Sequence, residues 1–297
     1  FAGVQNGIER VSKIMMPILI VLSVIIAVYS VTRPGALAGV KYFLVPNVKN
    51  FSWMTVVSAM GQMFYSLSIA MGILITFGSY MKKDTAIEDS TRNVEIFDTG
   101  IAIMAGLMII PAVFAFSGGD PDTLQAGPSL MFITIPKVFQ NMGFGTVIGI
   151  VFFLLVLFAA VTSSIALTES AVSTFEDELG WGRKKATVLV GVIMLALGSL
   201  SSLGYGPLAG IKIIGMQFLD LFDFLTNSVM MPIAALLTSL FVSRVVGIDK
   251  IEAEIIHGES AFRRKKVFVV MIKYLCPVFA IIILLSSVAN ALGWIKM

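Results

Sequence analysis

The sequence contains few charged residues, and this scarcity excludes a soluble globular domain. Asp, Glu, Lys and Arg make up 13% of the 297 residues, against about 25% in typical soluble domains. Hydrophobic residues make up 57%, and the mean hydropathy is +0.94. We therefore predict an all-α polytopic membrane protein. The net charge of +3 indicates no nucleic-acid partner, because the basic residues fall in short clusters between apolar runs.

Cysteine and histidine are each present once, as Cys276 and His257. A single cysteine excludes an internal disulfide, and a single histidine in a polar loop leaves no metal site to assemble around it. The paired catalytic groups of an intramembrane enzyme are also absent, because no histidine lies within an apolar run and Cys276 has no evident base. The sequence therefore predicts that the protein is not an enzyme.

Seven apolar runs are long enough to cross a membrane, which requires roughly 20 residues of helix. Lipid offers the backbone no hydrogen-bond partners, so each run should be helical. We predict one transmembrane domain over residues 1–297, and the absence of an initiator methionine indicates a fragment. The predicted spans are residues 14–31, 54–80, 95–117, 145–171, 186–203, 216–243 and 267–292.

The distribution of Lys and Arg predicts the orientation, because cytoplasmic loops carry an excess of both. If the N-terminus faces the cytoplasm, the inner loops hold 14 of the 21 basic residues and the outer loops hold six. The remaining one, Lys273, lies inside the last span near its inner end. We expect a multi-pass protein of the plasma or inner membrane, with its N-terminus inside and its C-terminus outside.

Polar groups within three spans point to function, because they are costly at membrane depth. The second span carries hydroxyls and small residues over 61–72, which allows a broken helix with freed backbone groups or an ordinary helix packed through small residues. The fourth span carries Thr162, Ser163 and Ser164, whose hydroxyls serve either a site or their own backbone. Asp98 in the third span is either an intramembrane carboxylate or the N-cap of a later helix.

These motifs together resemble the neurotransmitter:sodium symporter family, and in particular its bacterial amino-acid transporters. The resemblance is carried by Gly7–Arg10, the segment Gly61–Tyr80, the Thr162-Ser163-Ser164 run and the following Glu176–Leu179, in that order. It implies the inverted-repeat fold of the leucine-transporter type, of which this chain would hold the fifth helix, the second repeat and one further helix. The first four helices would be missing partners.

The resemblance implies roles for individual residues in three groups. The substrate site would be lined by Tyr65, Ser66, Ser68, Met71, Ser163 and Leu167. Two sodium sites, both incomplete in this chain, would draw on Ser66, Asp98, Ala159, Thr162 and Ser163. The gates at the two membrane faces would use Gln62, Tyr80, Asp177 and Asp223.

The function implied by the resemblance is sodium-coupled symport of a neutral, hydrophobic amino acid into the cell by alternating access. No fixed charge in the supposed pocket would pair with a charged side chain. Chloride is not expected as a cofactor, because Asp98 would supply the negative charge next to sodium that chloride supplies in other members. The alternatives are a membrane receptor or channel that does not transport, and an inactive partial chain.

Overall fold

The computed structural model describes residues 4–118, 120, 127, 130–259, 261–292 and 294. Over these residues the backbone is helical apart from turns, loops and one isolated bridge between Ile213 and Met216. The all-α class predicted from hydropathy is therefore confirmed. Hydrogen bonds within each helix satisfy its backbone internally, as a chain surrounded by lipid requires.

Thirteen α-helices are formed by the described residues, with π-helical turns joining several of them end to end. The π-helical turns are Val4–Glu9, Leu130–Thr134, Phe224–Met230, Phe241–Val246 and Met271–Leu275. The α-helices are α1 (Arg10–Val31), α2 (Ala36–Leu44), α3 (Trp53–Ser66), α4 (Ile73–Ser79), α5 (Ile87–Ser117), α6 (Ile135–Gln140), α7 (Gly145–Leu179), α8 (Arg183–Leu203), α9 (Phe218–Asp223), α10 (Met231–Leu240), α11 (Ile248–Gly258), α12 (Lys265–Val270) and α13 (Cys276–Ala291).

Six continuous helical stretches of the described chain are long and apolar enough to cross a membrane. They are Gly7–Val31, Ile87–Ser117, Gly145–Leu179, Arg183–Leu203, Phe218–Val246 and Lys265–Ala291. Each overlaps one of the predicted spans. The remaining predicted span, 54–80, is divided between α3 and α4 by a turn at residues 67–72. Asp98 lies well inside α5, which begins at Ile87, so it is not the N-cap of a later helix.

The chain divides into two compact units. Unit I holds residues 52–95 and 167–297, and unit II holds residues 2–51 and 96–166. The helices α5 and α7 each contribute to both. The single transmembrane domain over 1–297 stays a prediction.

Unit II is organised around a core shared by α1, α5, α6 and α7. The fully buried Ile26, Ala112, Val113, Ile135 and Val138 belong to it. The hydroxyl of Ser30, also fully buried, donates to the carbonyl of Met108 at 2.7 Å. A buried hydroxyl needs such a partner, so this bond fixes α1 against α5.

Unit I contains two smaller apolar clusters. One joins Phe64 of α3, Met231 of α10 and Ile283 of α13, with Ile69 and Met71 packed against it. The other joins α7 to α8 through Val172, Ala186 and Val190. Ile69 and Met71 belong to the turn that interrupts the second span, so the first cluster holds that turn against the end of α3.

Candidate functional site

The interruption between α3 and α4 has unusual backbone angles. The helix ends at Ser66 and resumes at Ile73. Between them, Ser68, Ala70 and Gly72 have φ angles of 54°, 63° and 78°. Positive φ is costly for residues with a Cβ atom, and alternate positive values are incompatible with a right-handed helix. The structure therefore contains a broken helix here, one of the two possibilities that the sequence left open.

The break frees backbone groups that a continuous helix would pair. The amides of Ser68 and Ile69 close the end of α3 on the carbonyls of Tyr65 and Phe64, at 3.1 and 2.9 Å. The first intrahelical bond of α4 runs from the amide of Thr76 to the carbonyl of Gly72, at 2.9 Å. In membrane proteins, interrupted helices of this kind line cavities, where unpaired carbonyls and amides contact ions and polar ligands.

Small residues hold the start of α4 tightly against α7. A Cβ atom added at Gly72 would lie 2.8 Å from the Oγ of Ser170, so a larger residue would have to displace the Ser170 side chain. The hydroxyl of Thr76 donates to Ser170 at 3.4 Å, and the hydroxyls of Thr76 and Ser173 are 3.5 Å apart. Two contacts therefore hold the break in place. The backbone at Gly72 lies close to the side chain of Ser170, and Met71 packs on the apolar cluster around Phe64.

The structure brings together part of the predicted substrate site. Tyr65 and Ser66 end α3, while Ser68 and Met71 lie in the turn that follows, so these residues surround the break. The ring of Tyr65 is half exposed, whereas Met71 packs against the apolar cluster of unit I. Leu167, also half exposed, lies in unit I on α7.

The other predicted sodium ligands lie in unit II. Ala159, Thr162 and Ser163 fall within little more than one turn of α7, and Asp98 lies on α5. The hydroxyl of Thr162 lies 3.0 Å from the carbonyl of Ala159 and 3.0 Å from that of Phe158. Bonding to the backbone one turn back was the alternative for this motif. The hydroxyl of Thr162 therefore shows the backbone bonding that the sequence left as the alternative to a site.

The four predicted gating residues have different surroundings. Gln62 on α3 and Asp177 on α7 are exposed. The carboxylate of Asp223, at the end of α9, accepts a hydrogen bond from the side-chain amide of Asn227. Tyr80 follows α4, and its hydroxyl donates to Glu169 Oε1 at 2.9 Å.

Glu169 forms the centre of a charge network that the sequence prediction did not assemble. Its side chain is only 4% exposed and is paired with the guanidinium of Arg183, which also contacts Glu176 Oε2 at 3.2 Å. A buried carboxylate requires such pairing. The signal in the sequence was a carboxylate in an apolar span one turn beyond the hydroxyl motif, but its partner could not be identified there.

An aromatic stack fixes the connection that carries Arg183. The rings of Phe175 and Trp181 lie 5.6 Å apart at an interplanar angle of 13°. The Nζ of Lys185 lies 3.8 Å from the centre of the Trp181 ring, within the range of a cation–π contact. Both contacts tie the turn between α7 and α8 to these two helices, next to Arg183, whose guanidinium pairs with the two glutamates.

The oxygen atoms near the break suit an alkali cation better than a transition metal. Across the described part of the chain, no group of three or more His, Cys, Asp or Glu residues could hold a metal ion. Hydroxyls and backbone carbonyls are the predominant polar groups at Ser66 and Ser68, which flank the break, and hard cations prefer such oxygen ligands. This donor set therefore fits sodium.

The long apolar helices and the broken span define an all-α, multi-pass membrane protein. Residues 1–294 match the sodium:neurotransmitter symporter family. The chain belongs to this family, as its motifs indicated.

Individual relatives agree with this assignment. The chain is 34% identical over 287 residues to the uncharacterized sodium-dependent transporter YhdH of Bacillus subtilis, covering 96% of this chain and 63% of the relative. It is 31% identical to an uncharacterized sodium-dependent transporter of Haemophilus influenzae, covering 96% and 61%. The crystal structure of MhsT in complex with L-phenylalanine superposes with a TM-score of 0.82 at 35% identity, covering 96% and 64%. The chain thus spans about three fifths of the length of these relatives.

Proposed function

We propose that this chain forms the larger part of a sodium-coupled symporter for a neutral, hydrophobic amino acid. The observation that carries the proposal is the broken helix at Ser68–Gly72, which exposes backbone groups within an apolar segment. Membership in a symporter family supports sodium coupling. MhsT was crystallised with L-phenylalanine, which supports an amino-acid substrate.

The residues around the break would bind the polar part of the substrate. Ser66 and Ser68 would offer hydroxyls to its ammonium and carboxylate groups, next to the freed backbone. Tyr65, Met71 and Leu167 would contact the side chain, and Ser163 would complete the site. This lining contains no fixed charge, so a charged substrate side chain would be desolvated without a partner, at a cost of several kcal/mol or more. The proposal therefore names neutral, apolar amino acids.

Two sodium ions would drive the transport. Ser66 and Asp98 would contribute to one site, and Ala159, Thr162 and Ser163 to the other. Each monovalent cation that crosses the membrane carries a driving force of roughly 2.3 kcal/mol per 100 mV, in addition to its concentration gradient. The carboxylate of Asp98 would provide the negative charge beside sodium, so we propose transport that does not depend on chloride.

The gates would alternate between the two faces of the membrane. Asp223 and Gln62 would belong to the outer gate, and Tyr80 and Asp177 to the inner one. Because the hydroxyl of Tyr80 donates to Glu169, the Glu169–Arg183 pair would also belong to the inner gate. With the N-terminus in the cytoplasm, breaking one set of contacts while the other holds would open the site to one side only.

The deciding experiment is uptake of a labelled mixture of neutral amino acids into proteoliposomes that contain the full-length transporter. We expect uptake that requires an inward sodium gradient and falls at least tenfold in Thr162→Ala and Asp98→Ala. Thr174→Ala is the matched control for Thr162, because the Thr174 hydroxyl bonds the backbone of the same helix at Ser170, at 2.8 Å. Folded protein that binds an amino acid without sodium-driven uptake would favour the receptor alternative instead.

A further inference from the structure

The first turn of α5 is capped by a residue far away in the sequence. Glu259 Oε1 accepts hydrogen bonds from the amides of Glu88 and Asp89, at 2.6 and 3.3 Å. The first amides of a helix have no intrahelical acceptor, and a carboxylate there is further stabilised by the helix dipole. The cap is unusual because it comes from the connection between α11 and α12, 170 residues further along the chain.

The same connection is held in return by side chains of α5. Glu88 Oε2 accepts a hydrogen bond from the amide of Arg263 at 2.8 Å. The guanidinium of Arg264 contacts Glu95 Oε2 at 2.9 Å and lies 3.9 Å from Glu88 Oε1. The hydrogen bond to Glu95 raises the pKa of Arg264 further above its usual value, so the guanidinium stays charged. Each segment therefore donates to and accepts from the other, and we call residues 85–95, 258–259 and 261–265 the α5 clasp.

The backbones within the α5 clasp approach each other closely. A Cβ atom added at Gly258 would lie 2.4 Å from the carbonyl oxygen of Thr85, so no other residue fits there. Lys265, the first residue of α12, forms an ion pair with Glu252 of α11. The connection is thus fixed to its own helix α11 as well as to α5, and it cannot shift without breaking several contacts.

The α5 clasp restrains the rotation of the start of α5 about the helix axis. Glu88 and Glu95 are seven residues apart, which is about two turns, so both carboxylates lie on one face of the helix. The guanidinium of Arg264 contacts both carboxylates. A rotation of α5 would therefore move at least one of these carboxylates away from Arg264. Asp98 follows Glu95 by less than one further turn of the same helix, so its direction depends on the same rotation.

We propose that Glu259 and Arg264 are positioning residues for sodium binding. By capping α5 and fixing its rotation, they aim the carboxylate of Asp98 at the cation without contacting the cation themselves. The inference rests on the proposed function for the role of Asp98, whereas the contacts of the α5 clasp do not depend on it. It predicts that disrupting the clasp weakens the apparent affinity for sodium more than it lowers the maximal rate.

The test uses the full-length transporter with Glu259→Ala, Glu259→Gln and Arg264→Ala. Glutamine keeps an acceptor oxygen for the two amides, whereas alanine removes it. We expect the sodium concentration for half-maximal uptake to rise roughly fivefold in Glu259→Ala and Arg264→Ala, the factor that corresponds to a lost cap of about 1 kcal/mol. Glu259→Gln should stay within about twofold of the wild type. Glu254→Gln, an exposed carboxylate of α11, is the matched control and should have no effect.

Hydrogen exchange provides a readout that does not require transport. Peptides covering residues 86–97 should exchange at least fivefold faster in Glu259→Ala than in the wild type, in sodium-free buffer, and Glu259→Gln should restore most of the protection. Unchanged exchange and an unchanged sodium dependence in the alanine variants would overturn the inference. Faster exchange with only a lower maximal rate would also overturn it, because the clasp would then be structural. Wild-type protein without sodium-dependent uptake would contradict the proposed function instead.

Discussion

The carboxylate of Glu169 is buried on α7 and forms an ion pair with the guanidinium of Arg183 at the start of α8. The two residues are 14 positions apart, on opposite sides of the tight turn between these helices. Tyr80 donates to the same carboxylate from the end of α4. Residues of α7 and α8 and the residue that follows α4 thus meet at the charge of Glu169.

Replacing Glu169 with Gln should destabilise the protein. Glutamine keeps an acceptor for Tyr80 but leaves Arg183 without its buried partner. Removing one member of a fully buried pair costs about 3–5 kcal/mol. Because Arg183 is 29% exposed and keeps Glu176, we expect about 1–3 kcal/mol here. Thermal unfolding of the purified full-length protein in detergent would measure the change.

Glu176→Gln is the matched control for that prediction. Glu176 binds the same guanidinium but is 27% exposed, and a partly solvated ion pair contributes up to about 1 kcal/mol. We expect a clearly smaller loss of stability than for Glu169→Gln. Equal losses in the two variants would show that burial of Glu169 has no special weight in the network.

Gly72→Ala should destabilise the break between α3 and α4. The left-handed backbone at φ 78° costs alanine about 1–2 kcal/mol, and its Cβ would lie 2.8 Å from the Oγ of Ser170. Gly78→Ala is the control, because Gly78 lies in α4 with no atom within 4 Å of the added Cβ and alanine favours a helix. The double variant Gly72→Ala/Ser170→Ala should recover only the part due to the close contact. A Gly72→Ala protein that unfolds at the wild-type temperature would contradict the assigned backbone.

Trp181→Ala should loosen the turn that presents Arg183. The variant removes the stack on Phe175 and the cation–π contact with Lys185, each of which contributes about 0.5–1.5 kcal/mol. We expect a lower unfolding temperature and faster hydrogen exchange at residues 180–186. Trp181→Phe keeps an aromatic face and should retain most of the stability. Identical behaviour of the alanine and phenylalanine variants would exclude a role for the stack.

Replacing chloride with gluconate should leave sodium-driven uptake unchanged. The reason is the carboxylate of Asp98 inside α5, which we propose supplies the negative charge at the sodium site. The measurement is initial uptake into proteoliposomes at constant sodium with chloride removed from both sides. A drop of tenfold or more would refute the assignment of that charge to Asp98. Replacing sodium with potassium is the control, and it should abolish uptake.

The break at Ser68–Gly72 illustrates how far the sequence could predict the site. Hydroxyls and small residues at mid-span indicated that a break was possible, but a helix packed through small residues fitted the pattern equally well. The decision came from contacts with other helices, because Gly72 meets Ser170 of α7 and Met71 packs on the cluster of Phe64, Met231 and Ile283. Local propensity carries no information about such partners.

For Thr162 and Asp98, the sequence located the helices and left only their boundaries and roles open. The position of Thr162 inside a long apolar helix followed from hydropathy, and the structure places Thr162 in α7 and Asp98 in α5. The sequence left Asp98 as either an N-cap or an intramembrane carboxylate, and the start of α5 at Ile87 excludes the N-cap. The roles of the two residues in binding sodium stay predictions.

The sequence by itself determined the class of the protein and the location of its long helices. Lipid cannot bond to an exposed backbone, so a long apolar run forms a helix unless, as at residues 67–72, polar and small residues allow a break. Only the tertiary structure decided which charges pair and which helix ends are capped. The Glu169–Arg183 pair and the Glu259 cap of α5 join residues 14 and 170 or more positions apart. Such pairings depend on how helices pack, and no periodicity along the chain records them.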